Sequence, residues 1–367
     1  MAQTQPMTAR GTLQAAWREV AGEGGLGAAR EREADLSLDS LRDLYRLMVV
    51  GRRLDQQATI LTRQGVLGVY ASSRGQEACQ VGAVAALAPG DWLFPTYRDS
   101  VAAWARGVEM SEVLALFAGS RHCGFDPLEH RVAPLTTPLA THLPHAVGLA
   151  MAARLGGDTM VALAMLGDGA ASEGDAHEAM NFAGVTRAPC VFLVQNNQYA
   201  ISVPQRGQTA AASIAVRAAG YGIAGAAVDG NDVISVHACV SDAVQRARDG
   251  GGPTLIEALT YRIDPHSTSD DPQRYRGDDE VAEWRERDPI ARVSHILGRA
   301  GALDPAFREA VDTEAETAAT RLRERMHAAG EGDPLEMFAH VRSGPGHELR
   351  QQRAEVSAIL EAERESR

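Results

Sequence analysis

Residues 165–175 read MLGDGAASEGD and begin with the last two residues of the apolar run Met160–Leu166. An uninterrupted apolar run of this length, ended by glycine, predicts a strand buried on both faces. Gly167, Asp168 and Gly169 then mark the point at which the chain leaves the sheet. A carboxylate there is badly placed for packing and well placed to hold a ligand.

Working outward, the segment from 144 to 264 alternates in type. The pattern predicts a helix over 144–155 closed by Gly156 and Gly157, a strand over 159–166, a helix over 175–183 and a strand over 189–195. A helix over 211–219, a short strand over 226–228, a helix over 232–248 stopped at Gly250, and a strand over 254–263 complete it. Such alternation implies a mostly parallel sheet with helices on both faces, an α/β fold that binds ligands beyond the carboxyl ends of its strands. Ahead of it, apolar positions from Leu41 to Leu61 recur at helical spacing behind the capping candidates Ser37 and Ser40, and a second helix is expected from Glu77 toward Pro89. Three parts follow: a flexible N-terminal arm over 1–35, an α/β domain over 36–300, and a helical extension over 301–367.

Composition removes several functions. The net charge of -12 argues against a nucleic-acid surface. No apolar run approaches the roughly 20 residues of a membrane span, and the N-terminus lacks a secretory pattern, so a cytoplasmic protein is expected. Cys79, Cys123, Cys190 and Cys239 are too scattered for a zinc or redox motif and read as free thiols. All 36 basic residues other than histidine are arginine, which excludes Schiff-base lysines and the lysine of a P-loop.

Asp168 and Asn197 lie 29 residues apart, each just beyond a predicted strand. If those strands are neighbours, both side chains emerge at one sheet edge. With a backbone carbonyl from the Gln198–Tyr199 turn and phosphate oxygens, they offer the hard ligands that Mg2+ takes. Gly167 and Gly169 would let phosphates approach the backbone, and the next helix would offer its N-terminal amides. Taken singly, GDG is a common turn. The dinucleotide fingerprint is incomplete, since Ser172 replaces its third glycine, and His177–Asn181 fails as a zinc helix because its last position is not histidine.

GDG and NN, with the flanking words GDGAASEGDAHEAMNFA, NNQYAIS, VDGNDV and YRIDPHSTSDDPQRYR, resemble the alpha subunit of the thiamine diphosphate-dependent branched-chain 2-oxo acid dehydrogenase. The resemblance spans about Leu41 to Arg292. It implies a thiamine diphosphate-binding fold, with Asp168, Asn197 and the carbonyl of Tyr199 on Mg2+. Tyr97 and Arg98 would contact the diphosphate, Leu139 would pack on the cofactor, and His266 would support acyl transfer. Arg262, Asp270 and Asp271 would shape the loop around His266, and Ser267 matches a phosphorylated serine of animal relatives. Two departures stand out: Gln195 replaces an arginine of those relatives, and residues 119–135 differ from the usual glycine- and lysine-rich loop. The resemblance further implies a beta subunit in a tetramer of two alpha and two beta chains, a lipoylated dihydrolipoyl acyltransferase, and a small 2-oxo acid substrate. The glutamate that activates the aminopyrimidine would come from the beta chain. A pyruvate or acetoin dehydrogenase alpha subunit and a non-catalytic diphosphate-binding module are the alternatives.

Overall fold

The computed structural model describes residues 36–330, 332–339 and 341–365; the expected arm over 1–35 lies outside them. The chain divides into two compact units, the first ending at Glu324 and the second running from Arg325 to Arg367.

Seven strands are found among the described residues: β1 (Trp92–Phe94), β2 (Ala162–Gly167), β3 (Cys190–Asn196), β4 (Tyr199–Ala200), β5 (Val203–Pro204), β6 (Ala224–Asp229) and β7 (Thr254–Leu259). Five of them form one sheet in the order β1-β2-β3-β7-β6, and every pairing in it is parallel. β4 and β5 make a separate antiparallel hairpin. The strands ahead of Asp168 and Asn197 are neighbours, as expected: β2 pairs with β3, and Gly167 stands opposite Gln195. Asp168 and Asn197 therefore leave the sheet at the same edge. β7 inserts between β3 and β6 and brings the segment after Leu259 to that edge as well.

The main helices are α1 (Leu38–Arg63), α2 (Glu77–Ala85), α3 (His142–Gly156), α4 (Gly174–Thr186), α5 (Val233–Arg248), α6 (Pro289–Arg299), α7 (Pro305–Ala328) and α8 (His347–Glu365). Ser37 caps α1 as expected, its hydroxyl accepting from the Ser40 amide at 3.0 Å. Asp232 caps α5 through the Ile234 amide at 3.1 Å. α3 and α4 share a core with Trp92, Phe94, Ala162, Leu166, Phe192 and Val194. A second cluster joins Leu44 and Met48 of α1, Ala78 and Val81 of α2, Val233 at the start of α5, and Leu297 of α6. The alternating pattern is thus realised as layers, because each parallel strand must bury both faces.

Two local expectations change. The helix expected over 211–219 is confined to Arg217–Gly220; Ser213 instead turns its hydroxyl onto the buried carboxylate of Glu257, which also accepts the Ala215 amide at 3.0 Å. A 3-10 turn over Ala170–Ser172, and not the helix itself, follows GDG. All four cysteines are free, and Cys79, Cys190 and Cys239 are buried. No helix among the described residues is long and apolar enough to cross a membrane.

Gly75, between α1 and α2, has φ +94°, and a Cβ there would lie 2.5 Å from the Tyr261 carbonyl oxygen. Both backbone conformation and space forbid a side chain. Gly148 sits within α3 with open space around it. Gly75→Ala should therefore destabilise the chain by about 2 kcal/mol or more, while Gly148→Ala should stabilise it by about 0.5–1 kcal/mol. Urea unfolding of the two variants checks the opposite signs.

Candidate active site

Three chain segments meet beyond the carboxyl ends of the strands: Asp168 after β2, Asn197–Tyr199 after β3, and Arg262–Asp270 after β7. The last two stay joined beyond the sheet, with the Thr260 amide on the Asn196 carbonyl at 2.9 Å and the Arg262 amide on the Asn197 carbonyl at 3.3 Å.

Asp168 is buried, and its Oδ2 accepts from Gln208 Nε2 at 2.8 Å. Burial pushes its carboxyl up to about 6, against a lowering by the Gln208 amide. Gln208 Oε1 is buried beside it without a partner. Asn197 anchors its Nδ2 on Gln76 Oε1 at 3.1 Å, which fixes the amide and assigns Oδ1 as the oxygen available to a ligand. The carbonyl of Tyr199 accepts from Arg262 Nη1 at 3.2 Å. Gln198 and Ile201, on either side of Tyr199, take φ values of 76° and 55°. Non-glycine residues adopt that conformation at a cost, so the turn that aims this carbonyl is held there by its surroundings. A carboxylate bonded to an amide, an oriented amide oxygen and a main-chain carbonyl form a donor set suited to a hard cation. Among the described residues no cluster of three or more His, Cys, Asp or Glu could hold a metal, so a zinc-type site is not found there.

The positive half of the site is formed by Arg98 and Arg262, both buried. Arg98 donates through Nη1 to the Ser72 carbonyl at 2.8 Å and through Nη2 to the His266 carbonyl at 2.8 Å. Arg262 donates through Nη2 to the Ile201 carbonyl at 2.7 Å and to the Tyr275 hydroxyl at 2.8 Å. Every one of these acceptors is neutral. Two buried guanidinium groups without a bonded carboxylate favour an anion, and their forked donors match phosphate oxygens.

His266 lies between them. Its Nδ1 is 3.1 Å from Arg98 Nη2 and 3.4 Å from Arg262 Nη1. Guanidinium groups only donate, so Nδ1 is the acceptor and the ring proton resides on Nε2. Burial, followed by Arg98 and Arg262, lowers the imidazole to about 4. The His266 amide donates to Asp270 Oδ2 at 2.8 Å, and the same oxygen accepts the Tyr275 hydroxyl. Tyr97 meets the His266 ring edge-on with 6.1 Å between centroids. Leu139 is 41% exposed, and the next residue, Ala140, has φ 62°. Asp271 does not reach His266 in the described contacts; it caps the 3-10 turn Pro272–Arg274.

The glycines differ from one another. A Cβ at Gly167 would meet nothing within 4 Å, leaving that face open to a ligand. A Cβ at Gly169 would lie 2.8 Å from the Ala200 Cβ, so this glycine serves the close packing of the β4 turn. Gln195 lies in a buried network where its Nε2 donates to Asp99 Oδ1 at 2.6 Å and Gln80 Nε2 donates to the same oxygen at 3.2 Å. Sequence reasoning missed Gln76 and Gln208: neither lies in a strand-end motif, and both reach the site across many residues.

The sequence from 45 to 333 matches the family described as dehydrogenase E1 component. The chain belongs to the dehydrogenase E1 component family. It is 46% identical over 341 residues to the 3-methyl-2-oxobutanoate dehydrogenase subunit alpha of Mycobacterium tuberculosis, covering 93% of each chain. The 2-oxoisovalerate dehydrogenase subunit alpha of Bacillus subtilis is 39% identical over 278 residues, covering 73% of this chain and 84% of the relative. The pyruvate dehydrogenase E1 component subunit alpha of Bacillus cereus is 42% identical over 284 residues, covering 77% and 76%. The chain is therefore an alpha-type E1 component, an oxidoreductase of the 2-oxo acid dehydrogenase class, in a thiamine diphosphate-dependent family.

The geometry sets the protonation of His266. One imidazole resonance, absent from His266→Gln, should titrate with a midpoint of about 4 by NMR of the chain alone. A midpoint above 6 would contradict the placement between two guanidinium groups.

Proposed function

We propose that the chain is the alpha subunit of a branched-chain 2-oxo acid dehydrogenase. With a beta subunit, in a cytoplasmic assembly of two alpha and two beta chains, it decarboxylates 2-oxoisovalerate-type acids. It then passes the acyl group to a lipoylated dihydrolipoyl acyltransferase. One observation carries the reading: at a single sheet edge, a buried carboxylate without a bonded cation faces the same small region as two buried guanidinium groups without a bonded anion. A cation bound to a diphosphate supplies both missing charges. The Tyr199 carbonyl, bonded to Arg262, joins the two halves.

In this reading Asp168, Asn197 Oδ1 and the Tyr199 carbonyl would hold Mg2+. Tyr97 and Arg98 would face the diphosphate, the open face of Gly167 would admit it, and Leu139 would pack on the ring system. When bound, thiamine diphosphate supplies the electron sink for decarboxylation. The chain's own residues bind, orient and handle protons. His266, neutral with its proton on Nε2, would exchange that proton as the acyl group moves to the lipoyl arm, a task suited to an imidazole. The branched-chain assignment follows the M. tuberculosis relative, which matches over nearly the full length of both chains. The B. cereus relative keeps a pyruvate-utilising alpha subunit as the second reading, since its identity exceeds that of the B. subtilis chain.

Asp168→Asn keeps the shape and removes the charge. Assembled with the beta subunit, the variant should bind thiamine diphosphate in the presence of Mg2+ at least about tenfold more weakly, since losing a charge-assisted ligand typically costs about 1.5–3 kcal/mol. Calorimetry that finds unchanged affinity would remove Asp168 from the metal. The assembled enzyme should also have a higher kcat/KM for 2-oxoisovalerate and 2-oxo-4-methylpentanoate than for pyruvate, by about 10–200-fold for the burial of the added methyl groups. A higher value for pyruvate would move the chain to the second reading.

A further inference from the structure

Asp55, on α1, is 2% exposed and has no part in the site described above. Its Oδ1 accepts from the Tyr70 hydroxyl at 2.8 Å, the Ser73 amide at 2.8 Å and the Ser73 hydroxyl at 3.0 Å. Its Oδ2 lies 2.6 Å from Ser72 Oγ. A single buried carboxyl thus ties down the stretch 70–73.

That stretch runs beside the loop carrying His266. The Thr268 amide donates to the Tyr70 carbonyl at 3.0 Å, and the Tyr70 amide donates to Thr268 Oγ1 at 3.1 Å. The Ile263 amide donates to the Arg74 carbonyl at 3.2 Å. Ser72 bridges further: its Oγ lies 2.9 Å from Asp264 Oδ2, while its carbonyl receives Arg98 Nη1. Contacts of Asp55 therefore lead in two steps to both Arg98 and the His266 loop.

Counting hydrogens favours a neutral Asp55. The Ser72 hydroxyl carries one hydrogen, yet it touches two carboxyl oxygens and also accepts the Arg74 amide at 3.2 Å. With both carboxyls ionised, one of those contacts would set oxygen lone pairs against each other. A proton on Asp55 Oδ2 resolves this: Asp55 donates to Ser72, and Ser72 donates to Asp264. Of the two carboxyls, Asp55 is the one buried without a cation beside it, whereas Asp264 is partly exposed and 3.6 Å from the Arg74 guanidinium.

We propose that Asp55, as the neutral acid, is a positioning residue that sets Arg98 and the His266 loop through the segment Tyr70–Arg74. Burial raises its carboxyl, as does the charge on Asp264, in the same sense. Tyr70 and Ser73 donate to its Oδ1 and act in the opposite sense, as Ser72 does where its hydroxyl donates. The effect on thiamine diphosphate rests on the proposed function; the placement of the loop does not.

Hydrogen exchange of the full chain separates the two. Asp55→Ala should accelerate exchange of the Ser73 amide, which loses its acceptor, and of the Tyr70, Ile263, His266 and Thr268 amides, which lie on the segments that Asp55 holds, by about tenfold or more. Asp55→Asn presents an oxygen to Tyr70 and Ser73 and an N–H to Ser72, so its exchange should stay within about threefold of the parent. In the complex with the beta subunit, the KM for thiamine diphosphate should rise in the Ala variant and return in the Asn variant. Unchanged exchange in Asp55→Ala, or equal acceleration in the two variants, overturns the proposal. Accelerated exchange with an unchanged KM retains the loop placement and overturns its link to the cofactor. Should Asp55→Ala not fold, Ser72→Ala removes the hydroxyl bridge and keeps the carbonyl on Arg98. Acceleration at Ile263 and Thr268 is then the expected result, and its absence overturns the proposal.

Discussion

A guanidinium group hydrogen-bonded to neutral acceptors is costly to bury, and Arg262 is 1% exposed with carbonyls, a phenol and an imidazole as its hydrogen-bond partners. Much of the site is arranged to keep it there. Its donors fix the carbonyls of Tyr199 and Ile201 and so hold the strained β4 turn, whose Ala200 lies close to Gly169. Its contact with Tyr275 orders the far end of the His266 loop, because the same phenol reaches Asp270. Behind it, Tyr261 and Trp284 stack at 5.3 Å between centroids and the Arg276 guanidinium lies over Tyr261. Arg276 also binds the carbonyls of Arg262, Ile263 and Asp264, so the backbone of this segment is pinned along its length. Removing Arg262 would disturb the Tyr199 carbonyl and the histidine loop together.

Gln195 shows how the charge balance is kept local. A glutamine, hydrogen-bonded to Asp99 and Gln80, leaves the positive charge at this sheet edge to Arg98 and Arg262. Asp99 is itself fully occupied, with Thr96 on its second oxygen at 2.7 Å through both amide and hydroxyl. That buried network holds the start of the helix over Ser100–Ala105 and so fixes where Arg98 leaves the backbone. Arg98 then reaches across to segments on either side of the site, which is why Ser72 and His266 share one guanidinium.

The strand ends were the most legible part of the sequence. Long apolar runs in a parallel sheet leave few alternatives, and the Asp168–Asn197 spacing carried the right adjacency because one crossover joins neighbouring strands. β1 was invisible for the opposite reason: Trp92–Phe94 is too short to show a period, and its pairing to β2 is set by tertiary contact. The region 211–219 looked helical from its alanines, yet the demand of buried Glu257 for donors overrode that propensity. Gln76, Gln208, Ser72 and Asp55 left no signature because their roles depend on partners tens or hundreds of residues away. Their residue types are common, and only the fold gives them meaning.

Two ionisable groups at the site are displaced in opposite senses, and this has consequences for how it loads. Asp168 is raised from 3.8 to about 6, so between those values the folded chain holds a proton that the unfolded chain releases, and stability falls as pH rises. His266 is lowered from 6.5 to about 4, so between those values the unfolded chain holds the extra proton, and stability rises with pH. Within the shared range the two slopes oppose each other. A cation beside Asp168 favours its ionised form and so releases a proton in acid. An anion beside the arginines offsets the two guanidinium charges that lower His266 and so draws a proton toward the imidazole. A cation and an anion arriving together, as proposed, would thus exchange protons in opposite directions, and their combined binding would depend on pH less than that of either alone. Well above pH 6 Asp168 is ionised and His266 neutral, so in the proposed reading a cation would have no proton to expel and the imidazole would keep its Nε2 proton for exchange.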